Sequence, residues 1–215
     1  ILNSKNYESR NFKTYLNPEK RENYLFNSSI NGIEKSDFIF LVGSNPRYEA
    51  TILNARIRKS YLQNKTKIIS LTDEGDLTYP YKSLNGNSDN IKKILDGSSE
   101  ISNLIIEAKN PMIIFGQSIF NLASGKYIFK SLKNFLIKNN KISESWNPLN
   151  VISENASTVG GLDLGIYKND NENNEVLKSL YENKFDLVFL LGQDSLEFKK
   201  KNEFIIYQGS HGDKG

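Results

Sequence analysis

"DFIFLVGSNPRYEATILNARIRK", Asp37 to Lys59, is the stretch that decides the fold. Phe38–Val42 is an unbroken apolar run, the pattern of a parallel strand covered on both faces. Gly43 stops it, and Ser44-Asn45-Pro46-Arg47 leads into a helical stripe of Ala50, Leu53, Ile57 and Tyr61, spaced three or four apart. Asn45 is placed to cap that helix, and Pro46 to take its first position, where a missing N–H costs nothing. Strand, glycine turn and helix is the unit with which many α/β proteins hold a nucleotide phosphate.

The same rhythm continues outward. "KIISL" (Lys67–Leu71) reads as a second strand, "MIIFGQS" (Met112–Ser118) as a third and "LNVIS" (Leu149–Ser153) as a fourth. "FDLVFLLGQD" and "EFIIYQG" read as a fifth and a sixth. Between them lie the helical patterns "IKKILDG", "EISNLIIEAKN" (stopped by Pro111), "GKYIFKSLKNFLIKNN" with a stripe at Ile128, Leu132 and Phe135, and "EVLKSLYEN". Strands alternating with helices predict an α/β fold, a mainly parallel sheet with helices on both faces. Residues 1–35 are polar and read as an N-terminal extension or connection, and residues 36–215 as the α/β domain. "ENASTVGGLDLGIYKNDNENN" reads as a long loop.

At 215 residues, 38% hydrophobic and 25% charged, the chain can bury a core and is not a disordered one. Its longest apolar runs are of strand length, short of the roughly 18–20 residues a membrane span needs. The net charge of +3 is small, and the basic run Lys199–Lys201 is too short for a nucleic-acid face. There is no cysteine, which excludes disulfides, thiolate-held iron–sulfur clusters, zinc ribbons and thiol nucleophiles. A single histidine, His211, excludes a His-rich metal site. The first residue is not a methionine and no signal-peptide core follows it, so no targeting is read there.

Three strands stop at glycine followed by polar residues: Gly43-Ser44-Asn45, Gly116-Gln117-Ser118 and Gly192-Gln193-Asp194. They either line a nucleotide crevice at the strand ends or merely let the chain turn. None fits GxGxxG or GxxxxGK[ST], which favours turning. Arg47, Glu49, Arg56 and Arg58 crowd one helix, as a phosphate- or carboxylate-binding group or, by preference, as a structural ion-pair network. "ASTVGGLDLG" (Ala156–Gly165) holds no acid–base pair and reads as a packed loop whose glycines allow close approach. "YQGSHGDKG" (Tyr207–Gly215) places His211 near Asp213, but no GxSxG elbow accompanies them. It also follows a strand where a parallel sheet normally continues, so the fold is expected to be incomplete at the C-terminus.

"RENYLFNSSINGIEKSDFIFLVGSNPRYEATILNARIRK" resembles the large peripheral-arm iron–sulfur subunit of respiratory complex I, NADH:ubiquinone oxidoreductase. The likeness runs through R-x-N-Y (Arg21, Asn23, Tyr24), the acid-led strand at Asp37, and G-[ST]-N-P-R-x-E-A (Gly43, Ser44, Asn45, Pro46, Arg47, Glu49, Ala50). It continues through Asn54, Arg56 and Arg58, then "NVISENASTVGGLDLG", "VFLLGQD" and "IIYQGSHGDKG" in the family's order. The resemblance implies a molybdopterin-oxidoreductase-like fold, part of the family's C-terminal portion, in a split or truncated form. It implies a non-catalytic structural part of the peripheral arm, supporting electron transfer from NADH to quinone. Catalytic, cofactor-binding and metal-ligating residues are each expected to number none. Iron–sulfur clusters are expected on a partner chain or an N-terminal part outside this sequence. The implied partners are other peripheral-arm subunits, including a chain carrying the iron–sulfur half and one completing the fold, with no nucleic acid and no membrane span. The implied place is the matrix side of the mitochondrial inner membrane, or the cytoplasmic side in a bacterium. The alternative is a molybdopterin- or nucleotide-binding oxidoreductase domain with an occupied crevice at the strand ends.

Overall fold

A computed structural model describes residues 4–9, 16–155, 157–166, 175–193, 196–197 and 199–210. They divide into two compact units, one of Tyr15–Val159 and one of Ile1–Thr14 with Gly160–Gly215.

In the larger unit five strands form one parallel sheet: β1 (Phe38–Val42), β2 (Lys67–Ser70), β3 (Lys82–Ser83), β4 (Pro111–Phe115) and β5 (Leu149–Val151). Their order is β3-β2-β1-β4-β5, so β1 and β4 lie side by side at the centre. Both central strands are buried along their whole length, as unbroken apolar runs require. Pro111 is tolerated in a central strand because it stands at its first residue.

Alternation along the strands divides the core between the sheet's faces. Ile39 and Leu41 of β1, Ile68 of β2, and Met112 and Ile114 of β4 join Leu53 and Ile57 of helix α2 (Thr51–Asn64) and Ile33 of a 3-10 turn (Asn31–Lys35). Phe115 points the other way, against Phe129 of helix α6 (Gly125–Lys138), with ring centroids 5.0 Å apart and edge to face. Helices α3 (Ser88–Asp96) and α4 (Glu100–Glu107) are capped by the Asn87 and Ser99 side chains, which accept from Asp89 and Ile101 N–H. The expected stripe on α6 shifts by one position at its start: Phe129, not Ile128, is buried with Leu132 and Phe135.

Besides the unexpected edge strand β3, three elements depart from the expected pattern. The helix after β1 breaks at Ala50 (φ −153°, ψ 72°) into α1 (Pro46–Glu49) and α2. The third strand stops at Phe115, and Gln117–Asn121 is a short helix, α5. Within the expected loop, Thr158–Asp163 forms a helical turn, α7.

The polar segment before β1 is tied to the far edge of the sheet. Asn27 Nδ2 donates to Leu149 O at 2.7 Å, and Ser28 N to Asn150 Oδ1 at 2.8 Å. Asn150 is fully buried, and its Nδ2 donates to Ser28 Oγ and Pro148 O, so its amide is satisfied. The acid leading β1 secures a second connection. Asp37 accepts Lys109 N and Asn110 N at 2.7 and 2.9 Å, holding the turn into β4.

The smaller unit holds helix α8 (Glu175–Tyr181) and a two-stranded parallel sheet of β6 (Leu187–Leu191) and β7 (Phe204–Gln208). Leu187 pairs with Phe204, Phe189 with Ile206 and Leu191 with Gln208. No helix among the described residues is long and apolar enough to cross a membrane.

Candidate functional site at the ends of strands β1 and β4

The chain leaves β1 towards β2 on one side and β4 towards β5 on the other. Adjacent strands with diverging connections make the switch point where open α/β sheets take their ligands. The two turns there carry Gly43 and Gly116. Gly43 adopts φ +59°, a left-handed backbone that glycine enters without strain. Gly116 is needed for a different reason, close approach. A Cβ on it would lie 2.6 Å from Ser44 Cα and 2.7 Å from Glu49 Oε2, and would overlap Gly43 O.

These turns are fastened to each other. Gly116 N donates to Val42 O at 3.1 Å, and Ser118 Oγ to Gly43 O at 2.6 Å. A Cβ on Gly43 would stand 2.8 Å from the same Ser118 Oγ. The backbone donor at the head of α1 is also taken: Asn45 N donates to Glu49 Oε1 at 2.8 Å. Ser44 Oγ lies 3.4 Å from Glu49 Oε2, a long hydrogen bond. The Glu49 carboxylate thus holds the position an external anion would take at a helix start.

Although Glu49 is exposed as a residue, its carboxyl end is partly shielded. That desolvation raises its pKa, and the negative charges of Glu74 and Glu154 act in the same direction. The Asn45 N–H and the Ser44 hydroxyl oppose them. Glu74 is itself held by Ser70 Oγ at 3.2 Å and by Thr72 Oγ1. Glu49, Glu74 and Glu154 thus bring three carboxylates near one another beside the switch point.

Asn45 does not cap α1 with its side chain. Its Nδ2 donates to Glu74 O at 2.9 Å instead, and its buried Oδ1 has no partner among the described residues. Pro46 does take the first helical position. Arg47 turns away to Asp76, donating to its backbone oxygen at 2.5 Å and its carboxylate at 2.6 Å. Asp76 is held below the usual carboxylate range by the Thr78 N–H first and Arg47 second.

The four charges expected to form one network divide. Arg56 pairs with Glu34, which also takes Lys59 Nζ at 2.8 Å. These cations, Lys59 ahead of Arg56, lower the pKa of Glu34. Arg47 serves Asp76, Glu49 serves the α1 turn, and exposed Arg58 has no ion-pair partner among the described residues. The break at Ala50 separates the first two charges from the last two.

Gly192, the third glycine, also has positive φ (+58°), but it follows β6 in the separate two-stranded sheet, and a Cβ on it would meet nothing within 4 Å. In "ASTVGGLDLG", Gly161 allows close approach, with Ser9 Oγ 2.9 Å from its would-be Cβ, but it does so from helix α7. His211 and Asp213 lie outside the described residues. Sequence reasoning named Ser118 only as part of the Gly116 turn and missed Glu74, because the meaning of both depends on which strands are neighbours. It also missed the buried pair Asn54 and Tyr79. Tyr79 OH donates to Asn54 Oδ1 at 2.8 Å, while Asn54 Nδ2 donates to Leu77 O at 3.0 Å. Burial pushes the Tyr79 hydroxyl's pKa well up.

This architecture has named relatives. The chain is 38% identical over 201 residues to the NADH-ubiquinone oxidoreductase 78 kDa subunit, mitochondrial, of Neurospora crassa, covering 91% of this chain and 26% of that protein. It is 36% identical over 201 residues to the NADH-ubiquinone oxidoreductase 75 kDa subunit of Reclinomonas americana, covering 93% and 29%. To an NADH-quinone oxidoreductase subunit of Rickettsia prowazekii it is 35% identical over 215 residues, covering 100% and 30%. It therefore spans less than a third of the length of these curated relatives. The molybdopterin oxidoreductase profile matches residues 1–215, across both the five-stranded sheet and the smaller unit, and this chain belongs to that family.

Proposed function

We propose that this chain is a structural, non-catalytic part of the peripheral arm of NADH:ubiquinone oxidoreductase, supporting the subunit that carries the iron–sulfur clusters. The observation that carries the reading is the state of the β1/β4 switch point. The chain's own Glu49 takes the helix-start donor, and Ser118 bridges the two glycine turns. A pterin dinucleotide at that position does not fit these residues. It would have to displace both contacts and set its phosphates against Glu49, Glu74 and Glu154. The absence of cysteine supports placing the clusters on other sequence, and the relatives' names support the complex. The partners are then other arm subunits, on the matrix side of the inner membrane or its bacterial counterpart.

The second reading, an oxidoreductase domain with an occupied crevice, draws on the strand order and on glycines at both central turns. Metal analysis of the purified assembly separates the two: about one molybdenum per chain would establish the second and overturn the first. Arg56→Leu tests the structural role. Breaking the Arg56–Glu34 pair between α2 and the preceding 3-10 turn should lower the amount of assembled arm in native gels. Cluster potentials in the enzyme that does assemble should stay unchanged. Full assembly, or altered potentials, would refute the role assigned.

A further inference from the structure

Helix α2 carries two stripes. The side towards the core holds Leu53, Asn54, Ile57 and Ser60, all buried. The opposite side is exposed at Ile52 (75%), Ala55, Lys59 and Leu62 (55%). The steps between those four are three, four and three residues, the spacing on which a second helix packs. In that seven-residue repeat Arg56 falls on one flank of the stripe and Arg58 on the other, with Lys65 seven residues further on at the C-terminal cap. From Thr51 to Lys65 there is no Asp or Glu. Glu34 answers Arg56 and Lys59. Neither Arg58 nor Lys65 has an ion-pair partner among the described residues. The stripe therefore has one neutralised edge and one cationic edge.

We propose that the outer face of α2 is the docking site for an acidic amphipathic helix of a neighbouring subunit. Its apolar stripe lies against Ile52, Ala55 and Leu62, and its carboxylates meet Arg58 and Lys65. The reading of this chain as part of a multisubunit arm, on which this rests, supplies such a neighbour. Three observations select the occupant. The spacing of the stripe fits a helix and not a strand, whose side chains repeat every two residues. The unanswered cations select acid, and an arginine at the rim of an apolar patch presents the fork that a carboxylate fills. A second copy of α2 on the same stripe would set cation against cation: Lys59 against Lys59 if parallel, Arg58 against Arg58 if antiparallel. A lipid surface would need a broader apolar face than Ile52, Ala55 and Leu62 supply.

The test places the photoreactive analogue p-benzoylphenylalanine at Leu62 in the assembled enzyme, and separately at exposed Tyr127 of α6, on the sheet's other side. Irradiation at Leu62 should join this chain to one other subunit. Peptide mass spectrometry should map the adduct to a segment with apolar residues three and four apart, flanked by Asp or Glu. Tyr127 should not reach that segment. Adducts to a second copy, to lipid, to the same polypeptide or to a segment without acidic flanks would overturn the proposal, as would no adduct or the same adduct from Tyr127. A second measurement needs no photochemistry. Arg58→Glu with Lys65→Glu, both at exposed positions, should lower co-purification of that subunit about tenfold. Reversing the partner's facing carboxylates to lysine should restore it, which would not happen if the first variant had merely failed to fold. Unchanged co-purification, or no restoration, would equally overturn the proposal. Membership of the complex is scored separately, by co-migration with NADH dehydrogenase activity in native gels. A chain that co-migrates but fails these tests sinks the docking site alone, and one that does not co-migrate sinks both.

Discussion

Gly116→Ala is the sharpest probe of the closed switch point. The added methyl would sit 2.6 Å from Ser44 Cα, against an ordinary carbon–carbon contact of about 3.5–4.0 Å, and would overlap Gly43 O. Both obstacles are backbone, held by the β1 ladder and by Ser118 Oγ, so neither can rotate aside. The β1 and β4 turns must separate by about 1 Å, an overpacking strain of about 3 kcal/mol, at the upper end of its usual range. For a unit of this size that lowers the melting temperature by roughly 6–12 °C. Trp146, the chain's single tryptophan, is the natural reporter. Its Nε1–H donates to Pro111 O at 2.7 Å, at the first residue of β4. Gly32→Ala in the same unit is the control, since its methyl meets Ser28, Ser29 and Trp146 at an ordinary 3.5 Å. It should change stability by less than about 1 kcal/mol. A Gly116→Ala chain melting with the unaltered protein would mean that the crevice has room, and the reasoning would fail.

Glu49→Gln keeps an acceptor for Asn45 N–H and removes a charge whose pKa is raised in the folded state. The folded state then binds the Glu49 proton more tightly than the unfolded one, so its contribution falls as pH rises from the ordinary carboxylate value through the raised one. The variant should be the more stable at pH 7 in urea unfolding, and the gap should close below about pH 4.5; a gap that widens in acid refutes the assignment. Tyr79→Phe strands the buried Asn54 Oδ1 and should cost about 1–2 kcal/mol in the same assay, whereas an unchanged midpoint would show that this oxygen finds another donor.

Much of the larger unit was legible because parallel strands covered on both faces must be apolar without interruption. Phe38–Val42 and Pro111–Phe115 announce themselves in that way. Lys82–Ser83 does not, being a two-residue edge strand with no apolar demand on it. The break at Ala50 was hidden for another reason: alanine is the best interior helix former and a poor N-cap, so Ala50-Thr51 reads as continuous helix. Val159-Gly160-Gly161 read as loop because paired glycines weaken a helix, yet the chain forms a helical turn there. At the site, Gly43 and Gly116 were recognisable as turns. Their closure was not, because it depends on residues 43–49 meeting residues 116–118, a contact set by strand order.

The tie between the first segment and strand β5 also bears on how the chain is made. Asn27 and Ser28 find their partners Leu149 and Asn150 only 122 residues later. At 5–20 residues per second, a ribosome takes on the order of ten seconds to deliver that partner strand. For that interval Leu25, whose carbonyl accepts Val151 N in the finished protein, and its buried neighbour Tyr24 have no completed edge to lie against. The earliest part of this unit to be synthesised is therefore among the last to be secured, and until then it offers apolar side chains to chaperones and proteases.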